Sequence, residues 1–406
     1  MKLTPLREFT MMQFMNKITD KSDWDAKIFD ETVIGKWKVE ALSAPDVDIT
    51  ESMITWCIDE LQYKPKKFRE TGLIATYDGD IAKSDTIIPL CLRNALKVAA
   101  APLENIPAED RDWHLGSGNI VQDLVDPSLF PVVYGRTRIL RDSVVGLDDC
   151  VKRCGDGVTL QVPPEGAKLF GYSCKYQWLP CDVAFQADRA RITSYINNLH
   201  PQAYKSLYEV MERIIESAIP LWNQTLTHLK TCHRRSPRIN YNRCVYDPDS
   251  FPEEIKPQQL PNEDDGDYLN RLNEWLRANR KVVKPEPGKF ALPRQDVNKD
   301  GTQSNEAIRV DLNKEFSESG LQIIVKLTNI HLTPEKPNYM GGDWHVESQL
   351  NEHICATAFY YYDSANITLS ANIQYLLPMA SAMNRATSIG SRKSSGASRV
   401  NPLYST

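Results

Sequence analysis

Apolar residues recur at three- and four-residue spacing over residues 6–18, 49–61 and 90–100, a period that predicts three amphipathic helices near the start of the chain. Asp48 and Thr50 stand where the second of these needs an N-cap. Over residues 130–140 and 160–178 the pattern changes to β-branched and aromatic residues punctuated by Pro and Gly, which predicts short strands. The longest periodic run is 202–229, where Leu207, Val210, Met211, Ile214, Ile215 and Ala218 mark one helical face. Pro220 is expected to kink or interrupt that helix.

Between residues 248 and 293 the chain is rich in Pro, Asp, Glu and Asn, with one helix-like stretch over 268–279, the composition of a surface connection. Then come two apolar, strand-like runs, 321–332 and 354–362. No acidic residue follows Asp363, and Ser, Arg and Ala accumulate in the tail. The resulting division is a mainly helical N-terminal lobe over 1–140, short strands and a long bracing helix over 141–247, a surface connection over 248–320, the first strands of a β core over 321–370, and a divergent tail over 371–406 expected to be disordered. The fold class is α+β.

Composition changes this picture little. The 406 residues, 41% apolar and 25% charged, describe an ordinary globular chain. A formal charge of -5 argues against a protein that coats nucleic acid or an anionic membrane. No apolar window has the length of a secretory signal or a membrane span, so an intracellular, cytoplasmic or nuclear, protein is expected, with no membrane partner. The nine cysteines are an odd number scattered along the chain, which fits reduced thiols.

Among candidate chemistries, the segment Gly341-Gly342-Asp343-Trp344-His345-Val346-Glu347 comes first. In extended backbone His345 and Glu347 project to one side, so an imidazole nitrogen and a carboxylate oxygen can address one metal, two corners of a facial triad. With seven histidines in the chain, chance supplies roughly one His-x-acid triplet, and the apolar strands on either side are what raise the metal reading above a surface pair. Asp296, Asn298, Asp300 and Gly301 open like a calcium loop, but its closing acid is displaced to Glu306, so a polar turn is favoured. Cys150, Cys154, Cys174 and Cys181 lack the two-residue knuckle spacing of a zinc site and read as buried or free thiols. The basic stretch His228, Lys230, His233, Arg234, Arg235, Arg238 and Arg243 follows the long helix and reads as a solvated face complementing the helix dipole, with a weak nucleic-acid contact as the alternative.

Several longer stretches carry a resemblance: Trp-Cys-Ile-Asp-Glu-Leu from Trp56, Asp-Trp-His from Asp112, Tyr-Gly-Arg-Thr-Arg-Ile-Leu from Tyr134, Ser-Tyr-Ile-Asn-Asn-Leu-His-Pro from Ser194, Asn-Ile-His-Leu-Thr-Pro-Glu-Lys-Pro from Asn329, and the His345 segment itself. Over about residues 6–368 the chain resembles a fungal family catalogued as domain of unknown function 4246, which in turn resembles iron and 2-oxoglutarate dependent oxygenases. The resemblance implies an incomplete double-stranded β-helix, or jelly-roll, core beside the helical lobe, Fe(II) held by His345 and Glu347, 2-oxoglutarate as cosubstrate and an unknown substrate. The family's later metal-binding His and 2-oxoglutarate-binding Arg have no counterpart here, and the match dissolves near Ser370. The expectation is therefore a C-terminally truncated form, inactive or impaired, of an oxygenase ancestor. The competing readings are a non-catalytic binding protein or truncated gene product, and a nucleic-acid contact through the Arg234 region.

Overall fold

The computed structural model describes residues 4–162, 171–187, 189–231, 237–240, 243–247, 252–291, 309–339, 341, 349–366 and 401–403. It mixes helices with small antiparallel sheets of two or three strands. The chain divides into two compact units, Met1–Ile87 with Gln224–Arg309, and Ile88–Asn223 with Val310–Thr406. The calcium-like segment and the His345–Glu347 pair fall outside the described residues, as does the tail apart from 401–403.

The first unit is built from α1 (Leu6–Thr19), α2 (Trp24–Lys27), α3 (Glu31–Leu42), α4 (Glu51–Tyr63) and α5 (Pro65–Thr71), followed by a hairpin of β1 (Ile74–Thr76) and β2 (Ile81–Lys83). Helix α4 starts two residues inside the apolar run because the Thr50 hydroxyl accepts from the Met53 N–H at 3.3 Å. Helix α3 escapes the periodicity because it buries Ile34 and Trp37 and little else, yet Asp30 caps it through two backbone N–H groups. These helices close on Met11, Ile28, Met53, Cys57 and Leu61, with Ile239 from the returning chain fully buried among them. The helix Asp265–Asn279 realises the short helical stretch expected within the connection, capped by Asp264.

The basic stretch is not a solvated face throughout. Arg238 turns inward and forks its guanidinium onto Glu60, with Nε to Oε2 at 2.7 Å and Nη2 to Oε1 at 2.9 Å, while Nη1 reaches Asp78 at 2.5 Å. Its backbone N–H donates to Glu8, a carboxylate only 3% exposed. His228 is buried too, with Nε2 3.3 Å from Asp80. Acidic residues on α1 and α4 and in the β1–β2 hairpin supply the counter-charges, which is why these cations leave water. His233, Arg234 and Arg235 lie outside the described residues.

The second unit begins with α6 (Leu90–Glu104) and continues through short strands: β3 (Asp112–Trp113), β4 (Val121–Val125), β5 (Val132–Val133), β6 (Arg138–Leu140), β7 (Val158–Thr159), β8 (Tyr176–Gln177), β9 (Cys181–Gln186) and β10 (Arg189–Ile192). The long helix α7 (Lys205–Thr231) starts in this unit, and its end, from Gln224, belongs to the first. Pro220 does not interrupt it: Ala218 and Ile219 beside the proline are buried, and packing outweighs one lost backbone bond. Glu216 and Glu212 of α7 accept from the backbone N–H groups of Ala190 and Ile192, so the outer edge of β10 is satisfied by side chains.

The apolar run 321–332 is two strands rather than one. β11 (Leu321–Ile323) pairs with β9, and β12 (Leu327–Ile330) crosses to another sheet and pairs with β4. Gly320 has φ +69°, and a Cβ there would meet the Val183 carbonyl at 2.4 Å, so only glycine lets β11 approach β9. The second run, 354–362, forms no strand among the described residues, where no ladder pairs it with a neighbour. It keeps a two-residue alternation all the same: Tyr360 and Tyr362 pack on the core with Leu124, Val125 and Leu207, while Phe359 and Tyr361 face outward.

Replacing Arg238 by Ala removes the guanidinium shared by Glu8, Glu60 and Asp78, so the chain should lose about 3–5 kcal/mol of stability in urea unfolding. A loss below about 1 kcal/mol would show the fork to be ornamental. Burial pushes the Glu60 carboxyl up, but Lys64 and Arg238 together outweigh it and hold it at about 2. A carboxyl depressed on folding contributes stability above its unfolded value, and that contribution fades as pH falls from about 4.5 to about 2. Acid unfolding over that window should therefore weaken in Glu60→Gln.

Candidate functional site

Strand β4 is the middle strand of the sheet β12-β4-β3, and all five of its residues are buried although Gln122 and Asp123 are polar. Successive side chains of a strand point to opposite faces, so the two cannot share a solution to their burial. Antiparallel pairing sets Asp112 of β3 opposite Asp123 and Trp113 opposite Gln122. The His114 N–H continues the ladder to the Val121 carbonyl at 2.9 Å. One face thus gathers Asp112, His114 and Asp123, and the other gathers Trp113 and Gln122.

On the first face the Nδ1 of His114 lies 2.8 Å from the Oδ2 of Asp123. Asp126, just beyond β4, is also buried, and its Oδ1 accepts from the Ser128 N–H at 2.9 Å. His114, Asp123 and Asp126 each bring one donor atom within 4.8 Å of the others. The Asp123 side chain is 2% exposed, and its Oδ1 has no hydrogen-bond partner among the described residues. Burial, then the carboxylates of Asp123 and Asp126, raise the Asp112 carboxyl above its ordinary range, while His114 pulls the other way.

The second face pairs the Gln122 oxygen, while its Nε2 has no hydrogen-bond partner among the described residues. Gln122 Oε1 meets His331 Nε2 at 3.0 Å, and the imidazole stands edge-on to Trp113 with ring centres 5.9 Å apart. Asn329, opposite Gln122 on β12, donates to Glu104, and the Tyr362 hydroxyl joins them at 3.0 Å to Glu104 and 2.7 Å to Asn329. Burial and the Glu104 carboxylate hold the Tyr362 phenol protonated.

His345 and Glu347 lie outside the described residues, but the chain on either side of them does not. Before them, Lys336 Nζ donates to the Gly118 carbonyl in the β3–β4 turn at 2.5 Å. After them, Leu350 N–H donates to Gly171, Asn351 bonds Ser173 and Tyr176, and Glu352 accepts from the Trp178 N–H at 2.8 Å. His353, the one histidine after Glu347, is exposed and ends this turn in a left-handed conformation. Cys150 and Cys181 are buried, Cys154 and Cys174 are exposed, and all four are free thiols that form no metal cluster among the described residues. Burial drives the Cys181 thiol up to about 12, the state of a core residue rather than a ligand.

The sequence signals considered above do not mark the His114 cluster. A signal exists: Gly116-Ser117-Gly118-Asn119 is a turn between two strand-like segments, and folding it back sets His114 beside Asp123.

A family model described as "Protein of unknown function (DUF4246)" matches residues 51–398, and one described as "Domain of unknown function DUF4246, N-terminal" matches residues 1–40. No curated protein and no solved structure matches the chain. Among the described residues, no helix is long and apolar enough to cross a membrane.

Like charges directly opposite across a ladder oppose folding, so Asp112→Asn should stabilise the protein by several tenths of a kcal/mol at neutral pH. The gain should vanish in acid once Asp112 of the parent is protonated. Thermal unfolding at two pH values checks this, and a destabilised variant at neutral pH would contradict it.

Proposed function

The chain belongs to the DUF4246 family, and from that membership we propose a non-haem iron oxygenase ancestry in which His345 and Glu347 are two protein ligands of Fe(II), 2-oxoglutarate is the cosubstrate, and residues 321–370 supply the first strands of a jelly-roll core. An imidazole and a carboxylate are donor types that non-haem iron takes. A third donor is not assigned to any of the 406 residues. Iron with 2-oxoglutarate supplies oxidative cleavage of unactivated C–H bonds when bound.

The observation that carries this reading is the mooring of the segment. Lys336 fixes one end on the Gly118 carbonyl, and Leu350, Asn351 and Glu352 fix the other on residues 171–178. Metal ligands need supports that hold them to within about 0.5 Å, and hydrogen bonds that tie the flanks on both sides of the pair to the second unit support that reading. A buried amide contributes to the second anchor: Asn351 is 4% exposed, accepts from Ser173 and donates to Tyr176. The competing reading, a non-catalytic binding protein, needs no metal at the pair.

Anaerobic titration with Fe(II) and 2-oxoglutarate separates the two, because chelation of protein-bound iron by 2-oxoglutarate gives a visible charge-transfer absorption. The absorption should be weak in the parent chain, where the later His and the 2-oxoglutarate-binding Arg have no counterpart, and its affinity should fall by about a further tenfold or more in both His345→Ala and Glu347→Ala. Equal absorption in the parent and both variants would overturn the assignment of the pair. Its absence from every form would favour a non-catalytic protein.

A further inference from the structure

We infer that His114, Asp123 and Asp126 form a second binding site, for a divalent first-row transition cation, with donors distinct from His345 and Glu347. Three independent features meet there. The first is distance: the three donor atoms lie within 4.8 Å of one another, and His114 Nδ1 and Asp123 Oδ2 are 2.8 Å apart. Two donors held about 2.1 Å from one ion at a right angle are about 3.0 Å apart, so this pair already has the separation of neighbouring ligands.

The second feature is an unused acceptor. Asp123 is buried at the centre of the sheet, and its Oδ1 receives no hydrogen bond among the described residues. Buried carboxylate oxygens are nearly always paired or bound to metal. On the opposite face of the same strand the Gln122 oxygen has His331 and Asn329 has Glu104 and Tyr362, and the atom left without a partner among the described residues is an uncharged amide nitrogen, Gln122 Nε2, rather than a carboxylate oxygen. The third feature is charge. Asp112, Asp123 and Asp126 converge on one face, and among the described residues no Lys or Arg forms an ion pair with any of them. A dication supplies the missing counter-charge.

The donor set selects the metal class. Two carboxylates and an imidazole suit Mn(II), Fe(II) or Zn(II), whereas Ca(II) and Mg(II) take oxygen ligands. His114 is 37% exposed at its side chain, so the ion would keep positions open toward solvent for water or an anionic ligand.

Mn(II) is the probe, read by the electron paramagnetic resonance of the free aqua ion, which disappears on binding. The full chain carrying His345→Ala and Glu347→Ala is titrated, so that the other pair contributes nothing. About one Mn(II) should bind per chain, with affinity falling about tenfold or more in Asp123→Asn and in Asp126→Asn. Should Asp123→Asn fail to fold, His114→Gln at the partly exposed position gives the second test. It should lower affinity and remove the nitrogen hyperfine coupling from the bound Mn(II) spectrum. Absence of binding, or binding unchanged in these variants, would leave His114 and Asp123 as a hydrogen-bonded pair and overturn the site. Because the His345 pair is already disabled, neither result bears on the iron reading.

Discussion

Strand β4 carries an aspartate into the interior of a sheet, and the surrounding residues have to answer that charge. A carboxylate is not left dry in a protein interior without a donor, a cation or a proton. Here β3 answers with one imidazole, His114, and adds a second carboxylate directly opposite, Asp112. On the other side of the strand, β12 arrives from two hundred residues later and brings Asn329, with His331 just beyond it, to partner the polar groups of that face. One face therefore carries a hydrogen-bonded network, and the other remains short of positive charge.

This asymmetry separates structural polarity from chemical potential. The Gln122, His331, Asn329, Glu104 and Tyr362 contacts tie β12 and the segment 360–362 to the rest of the second unit. The Arg238 fork plays the same part in the first unit, where Glu60 and Asp78 consume its donors. The His114 face differs in setting three carboxylates against a single imidazole, and it stands on the strand whose turn also anchors the lead-in to His345 through Lys336.

What the chain reveals before folding is its local periodicity. Helices α1, α4, α6 and α7 follow from three- and four-residue spacing, because each buries one apolar stripe. The run 321–332 misleads because nothing local announces that the chain changes sheets between Ile323 and Leu327. Pro220 misleads because buried neighbours sustain a helix that propensity would end there. The inward turn of Arg238 is invisible for a different reason: its partners lie 160 and 178 residues away, at Asp78 and Glu60. His345 and Glu347 are legible as a motif because both donors sit in one short segment. The His114 cluster needs the register of β3 on β4 before its members meet, and register is a property of pairing rather than of either strand.

Whether the uncompensated face of β4 takes a cation can be seen directly. The most direct measurement is an anomalous difference map from crystals of the chain grown with Mn(II). A peak is expected within about 2.0–2.4 Å of carboxylate oxygens of both Asp123 and Asp126 and of a His114 ring nitrogen. A map with Mn(II) elsewhere, and Asp123 Oδ1 instead bonded to ordered water or protein donors, would contradict it.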